Sequence, residues 1–233
     1  MTELLYQTDS YLKEFDALVT AVNPDEKAIT LDRTAFYPGG GGQPNDTGTL
    51  NTLNVVKVRK AGDDVLHILE GDLPAVGTRV HGIINWDRRY QLMRTHTAMH
   101  ILCGTVFRDY GAQVTGGDME PLKGRMDFEF ERLQKELVAV IEAAINREVQ
   151  AGREIRVKIL PREEAFKIPD LIRTKINLLP PGIQQVRTVE IVGLDLQADG
   201  GTHVKNTSEV GRIRVVDYES KGAINKRIYV EVS

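Results

Sequence analysis

The sequence predicts an α+β chain: a small N-terminal β-barrel over residues 1–86, then an α+β domain over residues 87–233 with an antiparallel sheet and long helices. Three observations carry this prediction. Short apolar segments separated by turn residues fill the first part, helical periodicity begins near Asp87, and strands alternate with a second helical stretch after it. The length of 233 residues and the 41% hydrophobic content suffice for cores of this size.

The N-terminal part has the evenly spaced short strands that are typical of a small barrel. Residues 23–27 have hairpin turn chemistry, with Pro24 and Asp25 between two apolar runs. Trp86 is expected to close the barrel. The predicted strands cover residues 17–22, 28–31, 53–60, 65–69 and 79–85.

Composition excludes several classes of protein. The net charge of −3 gives no global basic field, so any RNA contact must come from local patches. The single cysteine excludes an internal disulfide. The N-terminus does not resemble a signal peptide, and no apolar run is long enough to span a bilayer. We therefore expect a cytoplasmic protein without a membrane partner, and a monomer, since no large amphipathic repeat demands a second chain.

Two histidines lie on one face of the predicted helix that begins at Asp87. His96 and His100 are four residues apart, on a stripe that includes Leu92 and Met99. Polar rings on a buried face need partners, and side chains one turn apart can reach one metal ion. Two hydrogen-bonded core histidines are the other interpretation. The spacing alone leaves both open.

A second pair with the same spacing lies a hundred positions downstream. Asp199 and His203 flank two glycines that allow a tight backbone turn. Three imidazoles and one carboxylate would make a plausible zinc shell, and zinc chemistry suits hydrolysis of an ester. A zinc peptidase is disfavoured, because the segment 97–99 between the first two histidines lacks the glutamate that such an enzyme uses as general base.

The loop 33–48 contains four consecutive glycines, Gly39–Gly42, followed by Gln43. Glycine runs are costly to order, and the adjacent Phe36 and Tyr37 are not needed in a flexible linker. We therefore favour a loop that lines a site over a surface connector. Gly41-Gly42-Gln43 is also the tripeptide with which peptide release factors hydrolyse an ester on tRNA, but a release factor would not explain the histidine pairs.

The remaining elements follow from local patterns. Residues 115–118 are predicted to form a turn, and Gly152 is predicted to end a long structural helix over 131–151. A short helix is expected at 162–167 and a loop at 219–223. The predicted strands cover 124–130, 153–160, 186–192, 211–218 and 226–232.

Two motifs together resemble a known family. The segment Arg94–His100, paired with Gly200–Gly211, is similar to the editing domain shared by alanyl-tRNA and threonyl-tRNA synthetases, and more closely to the free-standing alanyl-tRNA editing proteins of the AlaX family. The Phe36–Gly48 segment matches the N-terminal signature of the longer AlaX proteins at every position. The resemblance implies a barrel followed by an editing domain. It also implies hydrolysis, in trans, of tRNA(Ala) mischarged with serine or glycine, because an alanine pocket rejects glycine poorly.

The resemblance also implies roles for individual residues. His96, His100 and His203 would bind Zn²⁺ together with Asp199, which stands where the family usually has cysteine. A hard carboxylate in place of a soft thiolate should weaken zinc binding. The predicted catalytic residues are His96, His100, Gln43 at the pocket edge and Thr115 near a serine hydroxyl; the predicted tRNA-binding residues are Lys221, Arg88, Arg89, Lys205 and Arg227.

Two other functions stay open at this point. One is a non-catalytic tRNA-binding or synthetase-associated module, which Asp199 would favour if it marked a decayed site. The other is a zinc hydrolase of a small ester or amide. Deacylation assays with and without the tRNA body would separate all three.

Overall fold

The computed structural model describes residues 1–130, 134–173 and 182–233. It divides into two compact units, Met1–Gln91 and Leu92–Ser233, and the division falls within helix α1 (Trp86–Tyr110). The sheets are mostly antiparallel, so the prediction of an α+β chain is confirmed. The predicted domain boundary between residues 86 and 87 stays a prediction.

The first unit consists mainly of strands. Six of its eight strands pair in the order β2-β3-β7-β6-β5-β8 as a closed barrel, and β1 pairs with β4 in parallel. The strands are β1 (Glu3–Leu4), β2 (Glu14–Asn23), β3 (Ala28–Leu31), β4 (Arg33–Thr34), β5 (Gly48–Leu50), β6 (Leu53–Ala61), β7 (Asp64–Glu70) and β8 (Arg79–Ile84).

Alternation along the strands builds the core of this unit. In β2 the side chains of Phe15, Ala17 and Val19 are buried, whereas their neighbours point to solvent. The predicted β2–β3 hairpin is present, and Lys27 reaches a φ of 50° as its turn closes. The other predicted barrel strands also agree with the structure to within one or two residues.

The second unit combines two antiparallel sheets with helices. One sheet has the order β14-β15-β10-β9 and the other β11-β12-β13. Its elements after α1 are β9 (Val114–Glu120), β10 (Lys123–Glu129), α2 (Lys135–Gln150), β11 (Ile155–Pro161), α3 (Arg162–Ala165), β12 (Gln185–Ile191), β13 (Asp195–Ala198), β14 (Ile213–Ser220) and β15 (Asn225–Val232).

Helix α2 packs through an apolar stripe that includes Ile141, Ala144 and Ile145, and Gly152 follows it with a φ of 60°. Its predicted first residues, 131–133, lie outside the described residues. The expectation of long helices is not borne out as a general feature, because the described residues hold only three α-helices and α3 has four residues. None of the helices in the described ranges is long and apolar enough to cross a membrane.

Two local predictions need correction. The predicted turn at residues 115–118 lies inside strand β9, where Gly116 and Gly117 pair with Asp127 and Met126 of β10. Glycine is uncommon in strands, but pairing with β10 holds these two glycines in extended backbone. Trp86 does not extend the barrel: it begins helix α1 and stacks on Tyr90 with ring centroids 5.6 Å apart.

Candidate metal centre

Helix α1 supplies two imidazoles to the site. His96 and His100 are one helical turn apart, with ring centroids separated by 5.0 Å, and both are buried. Thr95, beside them, accepts a hydrogen bond at 2.8 Å from the amide of Leu122, in the turn between β9 and β10. The helix therefore turns a polar face inward at this position, as its sequence predicts.

Strand β13 and the loop after it supply the other two groups. The amide of Asp199 donates to the Arg187 carbonyl at 3.1 Å, which extends the pairing with β12 by one residue. The Asp199 carboxylate accepts a hydrogen bond from the Gly201 amide at 2.8 Å, which forms a tight turn immediately after Asp199. This turn brings His203 against both helix histidines, with ring centroids 4.2 Å from His96 and 4.7 Å from His100.

The four predicted metal ligands therefore meet at one point. One ligand atom from each of His96, His100, Asp199 and His203 lies within 4.8 Å of the other three. Asp199 Oδ2 is 3.0 Å from His203 Nε2, and Asp199 Oδ1 is 3.5 Å from His96 Nε2. The four side chains could therefore hold a metal ion, since histidine nitrogens and carboxylate oxygens are common metal ligands.

Neighbouring side chains hold the cluster in place. The Thr97 hydroxyl lies 3.1 Å from His203 Nδ1, on the far side of that ring from Asp199. Arg187 Nη1 donates to the Asp199 carbonyl at 2.9 Å and lies 3.7 Å from its carboxylate. His100 Nδ1 donates to Asp195 Oδ2 at 3.0 Å. Metal-binding histidines commonly have such a partner on the second ring nitrogen.

The electrostatics of the cluster favour the metal-binding forms of His96, His203 and Asp199, but not of His100. Burial lowers the pKa of His203 to about 4 and holds the pKa of His96 well below its usual range, so both rings are neutral at pH 7. Burial would also lower the pKa of His100, but the hydrogen bond and charge of Asp195 outweigh it and raise that pKa. Burial opposes ionisation of Asp199, yet the adjacent imidazoles overcome it and the pKa of this carboxyl lies well below its usual range. Neutral imidazoles and an ionised carboxylate are the forms that bind metal.

Comparison with known proteins gives the chain's family. Residues 186–229 match the model of the threonyl and alanyl tRNA synthetase second additional domain, and residues 6–88 match that of class II (A) tRNA synthetases. The alanyl-tRNA editing protein AlaX-M of Saccharolobus solfataricus is 42% identical over 100% of this chain and 99% of its own length. The chain belongs to the AlaX family of alanyl-tRNA editing proteins. AlaX-M of Methanosarcina barkeri is 38% identical over 98% of both chains.

The same family relationship extends to a larger enzyme. The alanine–tRNA ligase of Ignicoccus hospitalis is 40% identical over 92% of this chain, which corresponds to 24% of the ligase. Nearly the whole length of this AlaX chain is therefore similar to one part of a much longer synthetase.

Two predicted catalytic residues of this AlaX chain are not among the four clustered side chains. Gln43 belongs to the first unit, is 2% exposed, and closes a small turn through backbone hydrogen bonds with Gly40. Its role stays a prediction. Thr115 lies in strand β9 instead of a turn, and its exposed hydroxyl donates to Asn225 Oδ1 at 2.8 Å.

The predicted tRNA-binding cations differ in their availability. Arg89 must be corrected: it is fully buried, its guanidinium is paired with Asp46, and it donates to the Ala35 and Ser10 carbonyls. Buried cations need such partners, and this one is not available to a phosphate.

The other four predicted cations reach the surface to different degrees. Arg227 is 17% exposed and forms a two-pronged ion pair with Asp127 at 2.6 and 2.8 Å. Arg88 is half-buried, Lys205 is exposed, and Lys221 is exposed with Glu219 3.1 Å away. Lys205 and Lys221 are thus the most exposed of the predicted phosphate contacts, and their role stays a prediction.

Sequence reasoning missed two residues at the cluster, Asp195 and Arg187. Arg187 lies in strand β12, in a segment predicted only as a strand, and Asp195 begins β13, outside every predicted element. The available signal was the four-residue spacing from Asp195 to Asp199 on one strand, which places both carboxylates on the same face.

Proposed function

We propose that this AlaX chain is an aminoacyl-tRNA deacylase that hydrolyses tRNA(Ala) carrying serine or glycine, at a zinc ion held by His96, His100, Asp199 and His203. The observation that supports it is the convergence of these four side chains within 4.8 Å. The names of the relatives support the tRNA(Ala) editing part of the proposal.

The chain's own residues suit the task of holding such an ion and positioning an ester beside it. When bound, zinc would supply Lewis-acid polarisation and favour ionisation of water, the chemistry that ester hydrolysis needs. Asp199 is held by the Gly201 amide and by Arg187, so it offers an oriented carboxylate at one side. An aminoacyl ester is labile, so holding the ester and a water molecule in position suffices for its hydrolysis. A general-base glutamate, which the segment 97–99 lacks, is then not needed.

The substrate body would be bound by exposed cations. Lys221, at the end of β14, is our proposed phosphate contact, because it is exposed and a glycine follows it. Phosphate contacts make binding depend on salt: Lys221→Ala should reduce the slope of log affinity against log salt by about 1.

One deacylation assay tests the proposal. Purified protein is incubated with Ser-, Gly- and Ala-tRNA(Ala), with and without a chelator, and zinc is then added back. We expect release of serine and glycine, little release of alanine, loss of activity with chelator and recovery with zinc. Activity that survives complete metal removal would exclude the zinc mechanism. Activity on aminoacyl esters without the tRNA would favour a small-ester hydrolase, and no activity on any ester would favour a non-catalytic module.

A further inference from the structure

A buried carboxylate, Asp195, lies directly behind the candidate metal centre. It begins strand β13, its side chain is 0% exposed, and its Oδ2 is 3.0 Å from Nδ1 of His100. A fully buried carboxylate is costly unless its neighbours compensate it. Packing alone therefore does not explain why a carboxylate lies at this position.

Several contacts fix the orientation of this carboxylate. Gln197 Nε2 donates to Asp195 Oδ2 at 2.7 Å, and Arg173 Nε lies 3.5 Å from Asp195 Oδ1. Gly104 of α1 allows the helix to approach: a Cβ at that position would lie only 2.9 Å from the Asp195 Cβ. Asp195 is thus held against the helix that carries His100, with little freedom to turn away.

We infer that Asp195 is a positioning residue of the candidate metal centre: it accepts the hydrogen on His100 Nδ1, fixes the ring, and leaves Nε2 as the nitrogen that binds metal. This inference rests on the proposed function, because it assumes a metal at the cluster. A carboxylate behind a metal-binding imidazole fixes the tautomer and strengthens the ligand. His203 differs, because its Nδ1 faces the uncharged hydroxyl of Thr97 at 3.1 Å. Asp195 is therefore the stronger of these two supports.

The first test measures zinc affinity with the full chain. Metal-free wild type, Asp195→Ala and Asp195→Asn are titrated with zinc against a chromophoric chelator. We expect about 10–100-fold weaker binding for Asp195→Ala. A smaller loss is expected for Asp195→Asn, because its amide oxygen can still accept the hydrogen bond. Asp127→Asn is the matched control, since Asp127 is also a buried carboxylate with a basic partner but contacts none of the four ligands.

The second test reads the tautomer directly. Long-range ¹H–¹⁵N spectra of the metal-free protein identify which nitrogen of neutral His100 carries the hydrogen. We expect Nδ1–H in the wild type and in Asp127→Asn, and a mixture of tautomers in Asp195→Ala. A purely structural role for Asp195 would lower the melting temperature without changing this signature.

The outcomes separate this inference from the proposed function. Wild type that takes up no zinc would overturn both. Wild type that binds zinc, with Asp195 variants that bind it equally well, would overturn the inference alone. Circular dichroism and thermal melting check folding. If Asp195→Ala does not fold, the zinc affinity of Asp195→Asn decides, and wild-type affinity in that variant would contradict the inference.

Discussion

His67 in the first unit and His203 in the second are equally buried, and they differ only in what surrounds them. Burial lowers the pKa of each to about 4. The ring of His67 meets the Thr34 hydroxyl at 2.8 Å, the Ile29 carbonyl at 3.4 Å and the edge of Phe36. His203 instead faces two other imidazoles and a carboxylate. Burial and a shifted pKa therefore do not distinguish a core histidine from a candidate ligand, whereas convergence of donor atoms does.

The largest expected effect tests that distinction by removing one ring from each unit. His203→Ala should lower the rate of Ser-tRNA(Ala) deacylation on the order of a thousandfold, because a metal supplies several kcal/mol of transition-state stabilisation. His67→Gln should keep both zinc and activity, since His67 contacts only core groups. Single-turnover deacylation and elemental analysis of both variants are the measurements. If the two variants lost activity equally, the comparison between the rings would be wrong.

A second prediction concerns pH and the stability of the first unit. The folded-state pKa of His67 is about 4 and its unfolded value is near 6.5, so the unfolded chain binds a proton first as pH falls. The stabilisation is complete above pH 6.5 and is lost as pH falls towards 4, by about 3 kcal/mol. His203 contributes with the same sign in the second unit.

Urea unfolding, followed by the fluorescence of Trp86, reports on this loss in the first unit, which contains the chain's single tryptophan. His67→Gln should show a flatter dependence on pH between 7 and 4 than the wild type. Parallel curves for the two proteins would mean that His67 does not carry the effect.

A third prediction concerns Asp199, the proposed ligand at a position where the resemblance to the family leads us to expect cysteine. Asp199→Cys should tighten zinc binding on the order of tenfold, because a thiolate is a softer ligand than a carboxylate. The gain is limited, since the variant loses the hydrogen bond from the Gly201 amide. Competition titration measures it, with Asp199→Ala as the control that removes the ligand without replacing it. Weaker binding by Asp199→Cys than by Asp199→Ala would show that position 199 does not hold the metal.

The sequence predicts the site well where spacing decides the geometry. His96 and His100 share a helix face because they are four residues apart, and the glycines after Asp199 allow the turn that returns His203. The barrel strands were predictable for another local reason, since turn residues separate short apolar segments there.

Residue spacing does not predict the role of a side chain whose partners are distant in the sequence. Asp195 and Arg187 support the cluster only because β12 and β13 pair beside α1, and nothing local in either strand marks that pairing. Arg89 looked like an exposed cation next to Arg88, yet its partner Asp46 lies 43 positions earlier in the chain. The turn predicted at Thr115 failed in the same way, because strand β10 imposes extended backbone on two glycines.

The smallest expected effect compares two matched threonine–histidine contacts. The Thr34 hydroxyl lies 2.8 Å from His67 Nε2 in the first unit, and the Thr97 hydroxyl lies 3.1 Å from His203 Nδ1 in the second. Replacing either threonine by valine preserves the shape of the side chain. It removes two buried contacts of the hydroxyl, the one with the histidine and a hydrogen bond accepted from the Phe36 or Val204 amide, for a loss of about 2 kcal/mol. Thr34→Val should therefore lower stability by about that amount and leave zinc affinity unchanged.

Thr97→Val should also weaken zinc binding, by a few-fold, because Nδ1 of His203 then loses its partner and the ring is held less firmly. Urea unfolding of the metal-free proteins and zinc competition titration together separate the two effects. The comparison fails if Thr34→Val changes zinc affinity as much as Thr97→Val does, because the two hydroxyls would then not differ in what their histidines face.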